Sequence, residues 1–238
     1  MIDKTLNYGR HHIKNFLQAS APYQTVLDLG AGHGDDLLLA QKFDPQVNLH
    51  ALESYPPYIE ELQSKGINVF SANIERDPLP FDNESVDVII MNQIMEHVKE
   101  VFWILHEVTR VLKIGGSFIV GVPNLASLHN RLLLLAGKQP SPLKNHSAHV
   151  RGYTKGDFRN LLNSGFPEGY YLKSFGGSNF YPFPPVVARP LAAALPTMAW
   201  GIFMNWKKTK PYAEGFLHYP IQKKLETNFF LGRETQTS

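Results

Sequence analysis

Cysteine is absent from this chain of 238 residues. Its absence excludes disulfides, thiolate metal sites and a cysteine nucleophile, and a cytoplasmic location is expected from it. Charge of one sign is missing too: 23 Lys and Arg against 21 Asp and Glu leave a formal net charge of +2. So balanced a surface does not point to nucleic acid, whose recognition starts from a basic face. Long apolar runs are also lacking. The longest uncharged stretch, 190–206, is interrupted by Pro196 and Gly201 and falls short of the ~20 residues of a membrane-spanning helix. It reads as a buried helix and strand, with docking on a membrane surface as the alternative. Met1 to His12 carry Asp3, Lys4 and Arg10, unlike a secretory signal. The histidines are scattered and show no metal tract, so no metal is expected.

What is present suits one globular domain. With 43% apolar and 18% charged residues the chain can bury a sizeable core. Apolar runs at 25–29, 47–52, 68–71, 86–91 and 117–122 read as strands. Helical periodicity lies between them at 35–43, 58–64 and 101–112, the last stopped by Gly115-Gly116. This alternation, carried through five rounds, predicts a doubly wound parallel α/β sheet. A helix over 8–20 precedes it, with His11-His12 on a solvated face. After Pro123 come a helix within 125–137, a loop, a helix opened by a Thr154/Asp157 capping box, and strands at 170–175 and 200–206. The tail from 211 to 238 is basic and aromatic at first, then polar, and its end is expected to fray. The whole is read as a single domain, 1–238, with a lid-like insertion at about 125–153.

The richest segment is Val26-Leu27-Asp28-Leu29-Gly30-Ala31-Gly32-His33-Gly34-Asp35. A strand ending in such a turn lets a ligand lie against bare backbone, at the start of a helix with free N–H groups. A phosphate-cradling loop would need a following Lys and Ser/Thr, and neither is present. A dinucleotide would place its pyrophosphate where Asp35 and Asp36 would repel it. A carboxylate at Asp28 suits a ligand with positive groups. S-adenosyl-L-methionine bears an ammonium and a sulfonium and no phosphate.

The same segment resembles the first motif of class I S-adenosylmethionine-dependent methyltransferases. The resemblance extends through Glu53, Ala72-Asn73-Ile74-Glu75, Leu79 to Asp87, Asn92-Gln93-Ile94-Met95-Glu96-His97-Val98 and Glu107 to Gly116. It implies a Rossmann-like seven-stranded, mostly parallel sheet with helices on both faces and an antiparallel last strand. By motif, Gly30, Gly32 and Gly34 would approach the methionine part of the cofactor, and Asp28 would orient its ammonium. Glu53 would accept the ribose hydroxyls. Ser54 or Tyr55 would flank the adenine, Ile74 would cover its other face, and Asn73 would read its edge. The family more often has Asp at the Asn73 position; an amide, with donor and acceptor, also suits that edge. Asp87 and Glu107 are read as structural.

Methyl transfer needs positioning more than dedicated machinery. The end of the fourth strand, Asn92 to His97, should line the transfer region, and no Asn/Asp-Pro-Pro-Tyr pattern of amino-group methyltransferases is present. His97, His149 and His146 are the candidate bases. Asn130 to Leu135 and His149-Val150-Arg151 also resemble a ubiquinone- and methionine-biosynthesis-like branch of these enzymes. That implies a small or lipid-linked acceptor; oxygen is the acceptor atom expected, with S-adenosyl-L-homocysteine as the other product. A non-catalytic cofactor-binding subunit and a dinucleotide oxidoreductase are the competing readings. Phe180, Tyr181, Phe183, Trp200 and Trp206 are expected to pack in the core rather than to line a substrate wall.

Overall fold

The computed structural model describes residues 4–232. Among these, seven strands form one sheet: β1 (Thr25–Leu29), β2 (Asn48–Leu52), β3 (Asn68–Phe70), β4 (Val86–Asn92), β5 (Leu112–Pro123), β6 (Tyr170–Ser178) and β7 (Gly201–Lys208). Their order is β3-β2-β1-β4-β5-β7-β6. The first five pair in parallel, and β7 runs antiparallel to both β5 and β6. The mostly parallel, seven-stranded sheet expected from the sequence is what forms.

Alternating side chains divide the apolar strands between two cores. Val26, Val88, Ile90 and Ile119 pack with α1 (Arg10–Gln18), α2 (Asp35–Phe43) and α3 (Pro56–Ser64) through Ile13, Leu17, Leu37 and Leu62. Leu27, Ile89, Met91, Phe118 and Val120 face the other way. They meet α4 (Val101–Val111), α6 (Lys155–Gly165) and α8 (Gly215–Gln222). Between β5 and α6 lies α5 (Leu128–Leu135), and α7 (Pro185–Ala194) lies between β6 and β7. Thr154 caps α6 as expected, its Oγ1 accepting from Asp157 N at 3.1 Å.

Four local expectations are corrected. The first helix begins at Arg10, not Tyr8, because Gly9 has φ 52 and turns the chain out of a short 3-10 segment, Lys4–Tyr8. On that helix His12 is half-buried, with Nε2 2.9 Å from Gly177 O, rather than solvated. The alternation of strand and helix fails between β3 and β4, where 71–85 holds no helix. Pro78 and Pro80 disfavour one. Glu107 accepts from Leu79 N (2.6 Å), and Arg110 donates to Leu79 O (3.0 Å) and Phe81 O (2.8 Å), so α4 holds that connection in place. Glu107 is structural, as expected. So is Asp87, whose carboxylate accepts from Gln24 N, Thr25 N and Lys113 Nζ.

The third correction to the helices concerns where α4 stops. Gly115-Gly116 does not end it; Leu112 is already extended at φ −71, ψ 130. The carbonyls of the last turn find partners elsewhere. Glu84 N and Ser85 N donate to Arg110 O and Val111 O, both at 2.9 Å. The buried Lys208 donates to Thr109 O (3.0 Å) and Leu112 O (2.8 Å). The tail is packed on the α4 face as far as Phe230. After α8, the rings of Phe229 and Phe230 pack edge-on against Phe102 and Trp103, each at 5.0 Å. The expectation for 233–238 lies outside the described residues.

Glu107→Ala is expected to destabilise the fold by about 3 kcal/mol in urea denaturation, because it removes the acceptor for Leu79 N and leaves Arg110 without its carboxylate. A loss below about 1 kcal/mol would contradict the clamp.

Candidate functional site

The glycine turn follows β1 directly. Gly30, Gly32 and Gly34 have φ of 80, 52 and 75, in the left-handed region that side-chain-bearing residues avoid. The three positions differ in their surroundings. A Cβ on Gly30 would lie 2.3 Å from Ile94 Cδ1, and one on Gly34 2.6 Å from Leu62 Cδ2. At Gly32 nothing lies within 4 Å. Two of the glycines therefore serve packing, and the middle one opens onto space.

That space is a cavity of about 580 Å³ at the carboxyl ends of β1 and β4. Its lining carries Asp28, Asp36 and Glu96 against a single Arg10. Arg10 lies 2.5 Å from Asp35 and 3.8 Å from Asp36. Burial drives the Asp28 carboxyl well above the usual range, reinforced by the charges of Asp36 and Glu53 and partly offset by Arg10. Asp36 is raised too, by burial, against the stabilising hydrogen bond from Asn92 and the charge of Arg10. An excess of buried carboxylate makes the cavity receptive to a cationic ligand and hostile to phosphate.

The N-terminal segment roofs the cavity. Asn92 Nδ2 donates to Tyr8 O (3.0 Å) and Asp36 Oδ2 (2.9 Å), while its Oδ1 is buried without a partner. Ser178 Oγ donates to Leu6 O at 2.6 Å. Below Asn92 the chain turns through Gln93, at φ 62, to Glu96 and His97. Glu96 is buried, and neither of its carboxylate oxygens has a hydrogen-bond partner. Burial pushes its pKa up to about 8. Residues 149–153 dock beside it: Val150 N donates to Glu96 O (2.8 Å), and Tyr153 Oη to Met95 O (3.2 Å). This sets the His149 ring 4.6 Å from that of His97. Burial lowers the His149 pKa, helped by His97 and opposed by the Pro142 carbonyl.

Among the residues singled out in the sequence, the cavity gathers Asp28, Gly30, Gly32, Asn92, His97 and His149. Glu53 stands one step back. Its Oε2 accepts from Gly32 N (3.0 Å) and its Oε1 from Ser54 N (2.8 Å) and Tyr55 N (2.9 Å), so it braces the turn. Ser54 and Tyr55 are exposed, and Tyr58, on the next helical turn, reaches the cavity instead. Asn73 is exposed and accepts from Glu75 N at 2.9 Å, a local turn. Ile74 packs against the core on the α4 face. His146 is exposed and outside the lining. Trp206 and Phe180 are core residues, as expected, whereas Trp200 lines the cavity.

Sequence reasoning missed Asp36, Glu96 and Arg10. Glu96 had a signal in its setting: a lone carboxylate after Ile94-Met95, beside a histidine. Arg10 had none, since only the fold of the N-terminal segment brings it to the cavity.

A glycine turn on β1, an acid closing β2 and a reversed β7 define the fold of the class I S-adenosylmethionine-dependent methyltransferases. Residues 10–150 match the model of a family described as methionine biosynthesis protein MetW. The chain belongs to that family. A probable S-adenosylmethionine-dependent methyltransferase of Mycobacterium tuberculosis is 30% identical over 129 residues, covering 49% of this chain and 42% of that protein. An arsenite methyltransferase of Halobacterium salinarum is 33% identical over 108 residues, 43% of this chain and 28% of that protein. The chain thus spans less than half the length of these curated relatives. Among solved structures, a Haloferax volcanii protein described as a methyltransferase, in complex with the Trm112 methyltransferase activator, superposes with TM-score 0.62 at 16% identity. That match covers 87% of this chain and 90% of that one.

Asp28→Asn is expected to raise the thermal midpoint of the ligand-free protein, and more at pH 8 than at pH 4. A carboxyl whose pKa is higher folded than unfolded contributes less stability as pH climbs from the unfolded value through the folded one; an amide does not titrate. A midpoint lowered at pH 8 would show that the charge is satisfied in the fold.

Proposed function

We propose that this chain binds S-adenosylmethionine and transfers its methyl group to an oxygen of a small or lipid-linked acceptor. The observation that carries the reading is the pairing of buried carboxylates with the open Gly32 turn. The ligand's ammonium and sulfonium suit Asp28 and Asp36, and its bulk needs the space that a side chain at Gly32 would fill. Glu53, held by three backbone amides, keeps a lone pair on Oε2 free for a ribose hydroxyl. Tyr58, with Tyr55 edge-on at 5.1 Å, offers aromatic surface on the same side. The name of the Mycobacterium tuberculosis relative supports the same donor, and that of the Halobacterium salinarum relative supports methyl transfer.

In the transfer, the methyl–sulfur bond breaks and its electron pair stays on sulfur, giving S-adenosylhomocysteine. A lone pair of the acceptor oxygen forms the new bond to carbon, and a hydroxyl acceptor loses its proton. The protein contributes alignment and the exclusion of water. The proton leaves at the end of the cavity that carries Glu96, His97 and His149. The segment from Asn124 to Tyr153, anchored at both ends beside β5 and Glu96, is the natural cover for the acceptor. Among the described residues no helix is long and apolar enough to cross a membrane. The acidic lining disfavours nucleic acid and a dinucleotide.

Calorimetry should show S-adenosylhomocysteine binding and no NAD binding. Failure to bind the former would overturn the reading. Glu53→Ala should weaken the binding by roughly 1–3 kcal/mol; unchanged affinity would remove Glu53 from the site. Gly32→Ala should lose most of the affinity yet unfold within about 1–2 kcal/mol of the parent, the strain of a left-handed alanine.

A further inference from the structure

Glu96 is the least satisfied side chain in the cavity. It is 1% exposed, and both carboxylate oxygens lack a hydrogen-bond partner. A buried carboxylate is ordinarily paired, hydrogen-bonded or bound to a metal. Among the described residues no Lys or Arg forms an ion pair with it; Arg10 serves Asp35 and Asp36. What faces Glu96 is a pair of imidazoles. Among the described residues, Glu96, His97 and His149 form the one group of such side chains whose donor atoms lie within 4.8 Å of one another.

We propose that Glu96, His97 and His149 form a divalent-cation site in the wall of the cavity, and that this cation holds the acceptor by its oxygen. Three observations support it. Two imidazoles and a carboxylate, with no thiolate, are the donor set of zinc sites that keep a fourth position open. Donors bound at about 2.1 Å lie at most about 4.2 Å apart, so small rotations of the exposed His97 and half-buried His149 imidazoles close the group. Its orientation is also built. His97 Nδ1 is 3.4 Å from the Ala148 carbonyl, the kind of contact that orients ligating histidines and leaves Nε2 free to bind. The Pro142 carbonyl stands against the His149 ring, and the docking of 149–153 on Glu96 O and Met95 O holds this second imidazole beside the first.

The open position faces the cavity that takes the methyl donor. A cation there polarises a hydroxyl of the acceptor, whose proton passes to water as the oxygen–carbon bond forms. His97 and His149 then act together as ligands, not as alternative bases, and acceptors with an oxygen free to ligate are preferred. This role rests on the methyl-transfer reading; the cation site itself does not.

The test is calorimetric titration of the chelator-treated full chain with Zn²⁺ alone, alongside titration with S-adenosylhomocysteine. One Zn²⁺ per chain is expected. Glu96→Gln and His149→Gln should each weaken it tenfold or more while binding S-adenosylhomocysteine within threefold of the parent, which shows both variants folded. A parent that binds S-adenosylhomocysteine but no stoichiometric Zn²⁺ overturns the cation site. So do variants that bind Zn²⁺ as the parent does. Zn²⁺ binding without S-adenosylhomocysteine binding leaves the cation site standing and overturns the donor instead.

Discussion

The parallel pairing of β1 with β4, Val26 to Val88 through Asp28 to Ile90, is the contact on which the rest depends. From β1 the chain crosses to β2 on one side, and it returns to β4 on the other. The two carboxyl ends therefore lie side by side while their connections diverge, and a crevice has to open between them. What is placed at that edge faces the same space: Asp28, Gly30 and Gly32 from β1 and its turn, Asn92 at the end of β4 and Glu96 after it. A chain with the same residues and no reversal of strand order would scatter them.

Charge then gives the crevice its character. Burying Asp28 and Asp36 near each other opposes folding, and Arg10 offsets only part of the repulsion. A fold evolved for stability alone would place amides there. The glycines divide in the same way: Gly30 and Gly34 allow close packing, whereas Gly32 clears room for something that is not protein. Strain and unpaired charge gather in one cavity, as expected of a binding site.

Much of the fold is legible from local pattern. The run Val86 to Met91, apolar on both faces, can only be a covered strand, and Val101, Leu105 and Val108 recur as one helix face. Boundaries were harder wherever partners come from afar. The end of α4 is set by Glu84, Ser85 and Lys208, the last of them 97 residues beyond Val111, so the nearby Gly115-Gly116 misleads. The docking of 215–230 depends on Phe102 and Trp103, which offer an apolar surface only once α4 is packed.

The site splits along the same line. The sequence by itself determined the ligand-facing turn and the sign of charge at Asp28, because both lie within ten consecutive residues whose conformation is local. Only the tertiary structure decided that Arg10 and Asn92 roof the cavity, that Glu53 braces Gly32 and that Asn73 serves its own turn. It alone set His149 against His97 and Glu96 while leaving His146 in solvent. The contact of Asn92 with Tyr8 and that of His149 with His97 join residues 52 or more positions apart, and Glu53 reaches back 21 positions to Gly32; no periodicity records such pairings, which exist once backbone hydrogen bonds such as Val150 N to Glu96 O have brought distant segments together.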